Sequence, residues 1–115
     1  MDKRNERRTE QRLRYSLPVW FAEYPKETLA QGKMVDISSR GAAFISYAHD
    51  SCPCFGQHIT ARFKVPDYRL DHSFDMVNFR RLAYVCRVDR VYTSWRRVAI
   101  RFAEPLPFKP GEKQC

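Results

Sequence analysis

The stretch "HITARFKVP" (58–66) alternates without a break: Ile59, Ala61, Phe63 and Val65 are apolar, and Thr60, Arg62 and Lys64 between them are polar. A period of two sends these sets to opposite faces, so the stretch predicts a half-buried strand with a basic outer face. The pattern returns in "RVAIRFAEPL" (97–106), where Val98, Ile100 and Phe102 oppose Arg97, Ala99 and Arg101. "SLPVWFAEY" (16–24) places Leu17, Val19 and Phe21 on one face and Trp20 on the other, with Pro18 marking a strand start or edge. "TLAQGKMVDIS" (28–38) predicts a weaker strand with a bulge or bend at Gly32, and "AAFISYA" (42–48) another. "FRRLAYVCRVDRVYTSW" (79–95) is strand-like, and residues 67–78 form a mixed connector.

No segment after residue 15 sustains a 3.6-residue period, and Pro105, Pro107 and Pro110 prevent a long closing helix. About six short strands punctuated by turns predict an all-β fold, and closure into a small antiparallel barrel removes the exposed edges. The chain of 115 residues supports one core. The expected organisation is a flexible basic arm over 1–15, a six-stranded barrel over 16–106, and a short tail over 107–115 with little or no helix.

With 43% hydrophobic and 14% aromatic residues, a disordered chain is excluded. No apolar run matches a membrane span, and "MDKRNERRTEQRLR" contains no signal-peptide core, so the expected location is the cytoplasm. There Cys52, Cys54, Cys86 and Cys115 stay reduced, and their spacing is no disulfide framework. In "HDSCPCFGQH" (49–58), His49, Cys52, Cys54 and His58 lie close together, but their spacing is not that of a zinc knuckle or ribbon. Pro53 and Gly56 make that stretch a turn, and no metal or cofactor is expected. No cysteine has a base and an orienting group singled out beside it, so the chain reads as a non-enzyme.

The formal charge of +8 points to anionic partners. Arg4, Arg7, Arg8, Arg12 and Arg14 crowd the amino terminus, and a second group occupies the last third. Arginine's planar fork suits phosphate oxygens and the guanine O6/N7 edge. Within "RRTEQR", Arg8 and Arg12 stand four apart and repel unless an anion sits between them; Glu6 and Glu10 temper the charge. Taken alone, this is a solvated basic tail. "DISSRG" (36–41) taken alone is a turn that Asp36 or Ser38 closes, with Gly41 supplying a positive φ.

In this order on a small barrel, the two stretches resemble the motifs of the PilZ family, bacterial receptors for cyclic di-GMP. The RxxxR motif reads Arg8-Thr9-Glu10-Gln11-Arg12, and the D/N-x-S-x-x-G motif reads Asp36-Ile37-Ser38-Ser39-Arg40-Gly41. "VAIRFAEPL" looks like the family's last strand, so the resemblance covers residues 6–106. It implies a stand-alone cyclic di-GMP receptor whose arm orders on binding and signals through protein contacts, with motility, exopolysaccharide synthesis or secretion as outputs. Arg8 and Arg12 would hold phosphate or the guanine edge, Asp36 would accept from guanine N1 and N2, Ser38 would offer its hydroxyl, and Gly41 would let backbone approach the ligand. Arg40, and Arg7 for a stacked ligand pair, are further candidate contacts. Many members carry glycine near the positions of Ala83 and Arg97, and this chain does not.

Two alternatives stay open at this point: a PilZ-like adaptor that binds no nucleotide, and a barrel that binds nucleic acid through Arg62, Lys64, Arg97 and Arg101 with exposed aromatics. The second gives Asp36 no role, because a carboxylate repels a phosphate backbone.

Overall fold

A computed structural model describes residues 10–48, 51–67 and 75–111. The strands are β1 (Leu13–Glu23), β2 (Ala30–Ile37), β3 (Gly41–Tyr47), β4 (His58–Asp67), β5 (Asp75–Tyr92) and β6 (Trp95–Phe102). They form the expected closed antiparallel barrel, in the order β1-β2-β3-β6-β5-β4, and no helix occurs among the described residues. β1 completes the wall by pairing with β2 on one side and, from Val19 to Glu23, with β4 on the other.

Strand alternation decides which side chains enter the barrel. Val19, Phe21, Met34, Ile37, Phe44, Ile59, Phe63, Val65, Val85, Val98 and Ile100 form one buried cluster. Phe21 and Phe44 meet with centroids 4.9 Å apart, and Phe63 stacks on Phe102 at 5.4 Å. Each such pair adds ~0.5–1.5 kcal/mol beyond area burial. Trp20, Arg62, Lys64 and Arg101 stay on the exposed face, as the alternation requires.

Several boundaries differ from the sequence reading. β1 opens at Leu13 rather than Ser16, so residues 13–15 belong to the wall and not to the arm. Leu13 pairs with Ile37 and Arg14 with Asp36, and Leu13 and Tyr15 pack against the core; Arg12 before them and Arg14 between them hide this apolar alternation. Pro18 lies inside β1, one residue beyond the end of the β1–β4 ladder, where a residue lacking an N–H is tolerated. Gly32 marks no bulge: it pairs in register with Val19, and the irregularities fall between Arg14 and Leu17 and between Met34 and Asp36. What Gly32 supplies is room, since a Cβ there would stand 2.8 Å from the Ile45 carbonyl oxygen and 3.0 Å from the Phe44 ring. β5 starts at Asp75, inside the expected connector, because pairing as far as Asp67 opposite Asp75 overrides a weak local pattern.

β6 stops at Phe102, and the proline-rich segment after it returns Leu106 and Phe108 to the core cluster. A Cβ on Gly111 would stand 2.5 Å from the Gln11 carbonyl oxygen, so the tail lies directly against the residues leading into β1.

Candidate functional site

Asp36 sits at the β2 irregularity, opposite Arg14 on β1 and Ala43 on β3. Its side chain is 13% exposed and both oxygens are engaged. Arg12 Nη1 donates to Oδ1 at 3.2 Å, and Arg97 Nη2 donates to Oδ2 at 2.8 Å. Arg12 precedes β1 and Arg97 belongs to β6, so elements distant in sequence converge on one carboxylate. Arg97 reaches it across β3: Asp36 pairs with Ala43, while Arg97 lies opposite Ile45. Alternation puts Ala43 on the outer face, yet it is fully buried, consistent with a crossing that needs a small residue beneath it. The two arginines are 41% and 38% exposed, so after solvent screening each pair contributes ~0.2–1 kcal/mol. That exposure also leaves both guanidiniums open to an incoming anion.

The turn that follows is built from its own polar groups. Ser38 N–H donates to the Gly41 carbonyl at 2.8 Å; the Ser38 hydroxyl donates to the same oxygen and accepts from Arg40 N–H, both at 3.4 Å. Phe102 N–H on the Arg40 carbonyl, at 2.8 Å, and Leu106 N–H on the Ser39 carbonyl, at 2.7 Å, pin the turn to the barrel's last segment. Gly41 does not take the expected positive φ; among the described residues that conformation belongs to Gly56, at 87°. Gly41 instead pairs with Arg101 so closely that a Cβ would collide with the Ile100 carbonyl oxygen. Its glycine is required by a close backbone approach and not by a left-handed turn.

Two further groups complete the site, and sequence reasoning assigned neither. The Glu10 carboxylate accepts the Ser39 N–H at 2.6 Å and the Ser39 hydroxyl at 2.5 Å, which fastens the end of the arm to the turn through charge-assisted bonds. The signal for it was the second serine of "DISSRG", whose donors need an acceptor. The Tyr15 hydroxyl is buried and has no hydrogen-bond partner among the described residues. Burial, and then the negative charge of Asp36, push its ionisation far above the ordinary value of 10.0.

Of the expected site residues, Arg12, Asp36, Ser38, Arg40 and Gly41 come together where the arm meets β2 and β3, with Arg40 exposed. Arg7 and Arg8 lie outside the described residues. Arg97, read from sequence as part of a basic strand face, is the cation that holds Asp36 from the far side. Alternation with Val98 turned it outward, but only the register across β3 brings it to the carboxylate. Ala83, the other position where the resemblance would place glycine, is buried opposite Phe102. Cys52, Cys54 and Cys86 are free thiols, burial pushes the Cys52 pKa up, and no metal-holding cluster occurs among the described residues.

A closed six-stranded barrel whose outer wall carries an arginine-clasped aspartate and a serine–glycine turn defines a class of small β-barrel module with one polar site. The PilZ domain pattern matches residues 6–112, and the chain belongs to the PilZ domain family. Among solved structures it is similar to the Bacillus subtilis inhibitor of motility (MotI/DgrA), with a TM-score of 0.63 and 17% identity, over 87% of this chain and 44% of that one. It is also similar to the PilZ domain of CeSA from a cellulose-synthesizing bacterium, with a TM-score of 0.53 and 18% identity, over 83% of each chain. At these identities the likeness is one of fold, and the chain spans less than half the length of the Bacillus protein. No curated protein sequence matches the chain. No helix among the described residues is long and apolar enough to cross a membrane.

Proposed function

We propose that the protein is a cyclic di-GMP receptor that works as an adaptor, binding the dinucleotide at the Asp36 site and passing the signal on by protein contact. The observation that carries this reading is the clasp itself: one carboxylate on the outer wall, both oxygens held by partly exposed arginines, beside a serine turn. A guanine presents N1 and N2 hydrogens that a carboxylate accepts, and its O6/N7 edge and the phosphates accept from guanidinium forks. Binding then exchanges partners. Asp36 takes the guanine donors, and Arg12 and Arg97 turn from Asp36 to phosphate or to the base.

Because Arg12 and Glu10 tie the end of the arm to the barrel, moving Arg12 onto a ligand re-seats the arm and changes the surface a partner meets. Arg8 and Arg40, and Arg7 with a stacked ligand pair, are the further contacts of this proposal. The names of the two structural neighbours supply candidate outputs, motility control and polysaccharide synthesis.

A second reading has one observation in its favour. Both Asp36 oxygens are already satisfied internally, which suits an adaptor whose clasp is a structural lock and binds no nucleotide. Isothermal titration with cyclic di-GMP separates the two, with GTP and a short oligonucleotide as controls. Saturable heat that is lost in Arg8→Ala/Arg12→Ala supports the receptor. A folded sample that gives no heat defeats it and leaves the lock, and heat with the oligonucleotide alone transfers the case to nucleic acid.

A further inference from the structure

Away from Asp36, a spiral belt of side chains follows the register around the outer wall. Tyr92 pairs with Trp95, Trp95 with Tyr47, Gln31 with Trp20, Trp20 with Arg62, and Arg62 with Arg80. Tyr47 and Gln31, on neighbouring strands, line the same groove and join the two runs.

The two ends of the belt differ in chemistry. One is a groove of about 700 Å³ between Tyr47, Tyr92 and Trp95, all exposed, with the Tyr47 and Trp95 rings edge to face at 4.9 Å. At the other end Arg62 and Arg80 are direct cross-strand neighbours, with Lys64 and the exposed Trp20 lining the same hollow and no acid among the described residues that line it. Like charges placed directly opposite destabilise a sheet. Other arginines of the wall meet acids, Arg12 and Arg97 at Asp36 and Arg87 at Asp89, and in the second opposed pair, Arg90 with Arg96, Arg96 turns onto the carbonyls of Tyr92, Thr93 and Trp95; Arg62 and Arg80 have no ion pair among the described residues. The Arg62–Arg80 pair therefore calls for carboxylates from outside.

We propose that this belt docks an extended protein segment with an apolar or aromatic anchor and, about four to six residues away, two or more acidic side chains. The spacing follows from the barrel. Arg62 and Arg80 lie three and four strands from Tyr47, roughly 14–19 Å at about 4.8 Å per strand, and an extended chain covers this at ~3.3 Å per residue. Tyrosine, tryptophan and arginine are the residues that dominate protein–protein hot spots. A single-stranded nucleic acid would need aromatic platforms and cations repeated at each nucleotide, whereas here Arg62, Lys64 and Arg80 crowd the hollow beside Trp20, and among the described residues Lys33 alone brings a cation to the lining of the aromatic groove. The proposal rests on the adaptor half of the reading above and not on the dinucleotide.

The test is display of random twelve-residue peptides against the full chain, followed by titration of the enriched peptides. The expected peptides carry the anchor-and-acids pattern, and lose at least tenfold in affinity on Arg62→Glu/Arg80→Glu and several-fold on Tyr92→Ser. If the double reversal does not fold, Arg62→Gln/Arg80→Gln replaces it. Enriched peptides without acids, affinities unmoved by these variants, tighter binding of an oligonucleotide on the same residues, or self-association abolished by the same changes would each overturn the proposal. A chain that ignores cyclic di-GMP yet selects these peptides defeats the receptor and leaves the dock standing.

Discussion

Asp36→Asn tests the clasp and its function together. The substitution keeps the shape of the side chain and removes the charge that two guanidiniums share at 3.2 and 2.8 Å. Both arginines are more than a third exposed, so each pair is discounted to ~0.2–1 kcal/mol, and the loss of stability sums to about 0.5–2 kcal/mol. For a domain near this size that lowers Tm by roughly 2–8 °C. The effect on the ligand is larger. Losing a charged acceptor in a desolvated contact removes ~1.5–3 kcal/mol, or about 10–150-fold in Kd for cyclic di-GMP. Calorimetric melting and titration on the same sample read both numbers, and a double-mutant cycle with Arg97→Ala isolates the Asp36–Arg97 coupling, expected at a few tenths to about 1 kcal/mol. A variant that binds the dinucleotide as tightly as the parent while its Tm falls would show Asp36 to be a strut and refute its recognition role. An unchanged Tm with no coupling to Arg97 would refute the clasp.

Gly41→Ala forces a methyl group onto the Ile100 carbonyl oxygen, a backbone atom that cannot swing aside; urea unfolding should show a loss of about 1–3 kcal/mol, and a loss below 0.5 would mean that the strands separate easily there. Tyr15→Phe removes a buried hydroxyl with no partner among the described residues, so near neutral pH its stability should equal or exceed the parent's. The pH dependence has a definite sign: the folded Tyr15 resists ionisation that the unfolded chain undergoes near 10.0, so the parent loses stability as pH rises past that value. Tyr15→Phe should flatten this alkaline limb, and an identical limb in both proteins would count against burial beside Asp36. Glu10→Ala removes both bonds to Ser39 and should raise amide hydrogen exchange at Ser39 and the arm, with about 1–2 kcal/mol of stability lost; unchanged exchange would mean that the arm is not fastened there.

Local pattern was sufficient for the barrel. Period-two alternation in Ile59–Val65 and Val98–Phe102 placed core and surface correctly, because a strand's faces depend only on its own residues. It was insufficient at the ends of strands. Leu13–Tyr15, masked by arginines, and Asp75–Asn78, with weak alternation, became strand only because a partner ladder was there to extend. The site divides along the same line. Arg12, Asp36, Ser38 and Gly41 could be nominated from two short motifs, since their spacing lies within single segments. The reason for Gly41, a collision with β6, and the two contacts that finish the site, Arg97 on Asp36 and Glu10 on Ser39, depend on which strands lie side by side and in what register. Those pairs are 61 and 29 residues apart in the chain, and no local propensity encodes a distance across β3. Sequence alone determined which residues face outward and which motif they belong to; barrel closure decided which of the outward charges meet.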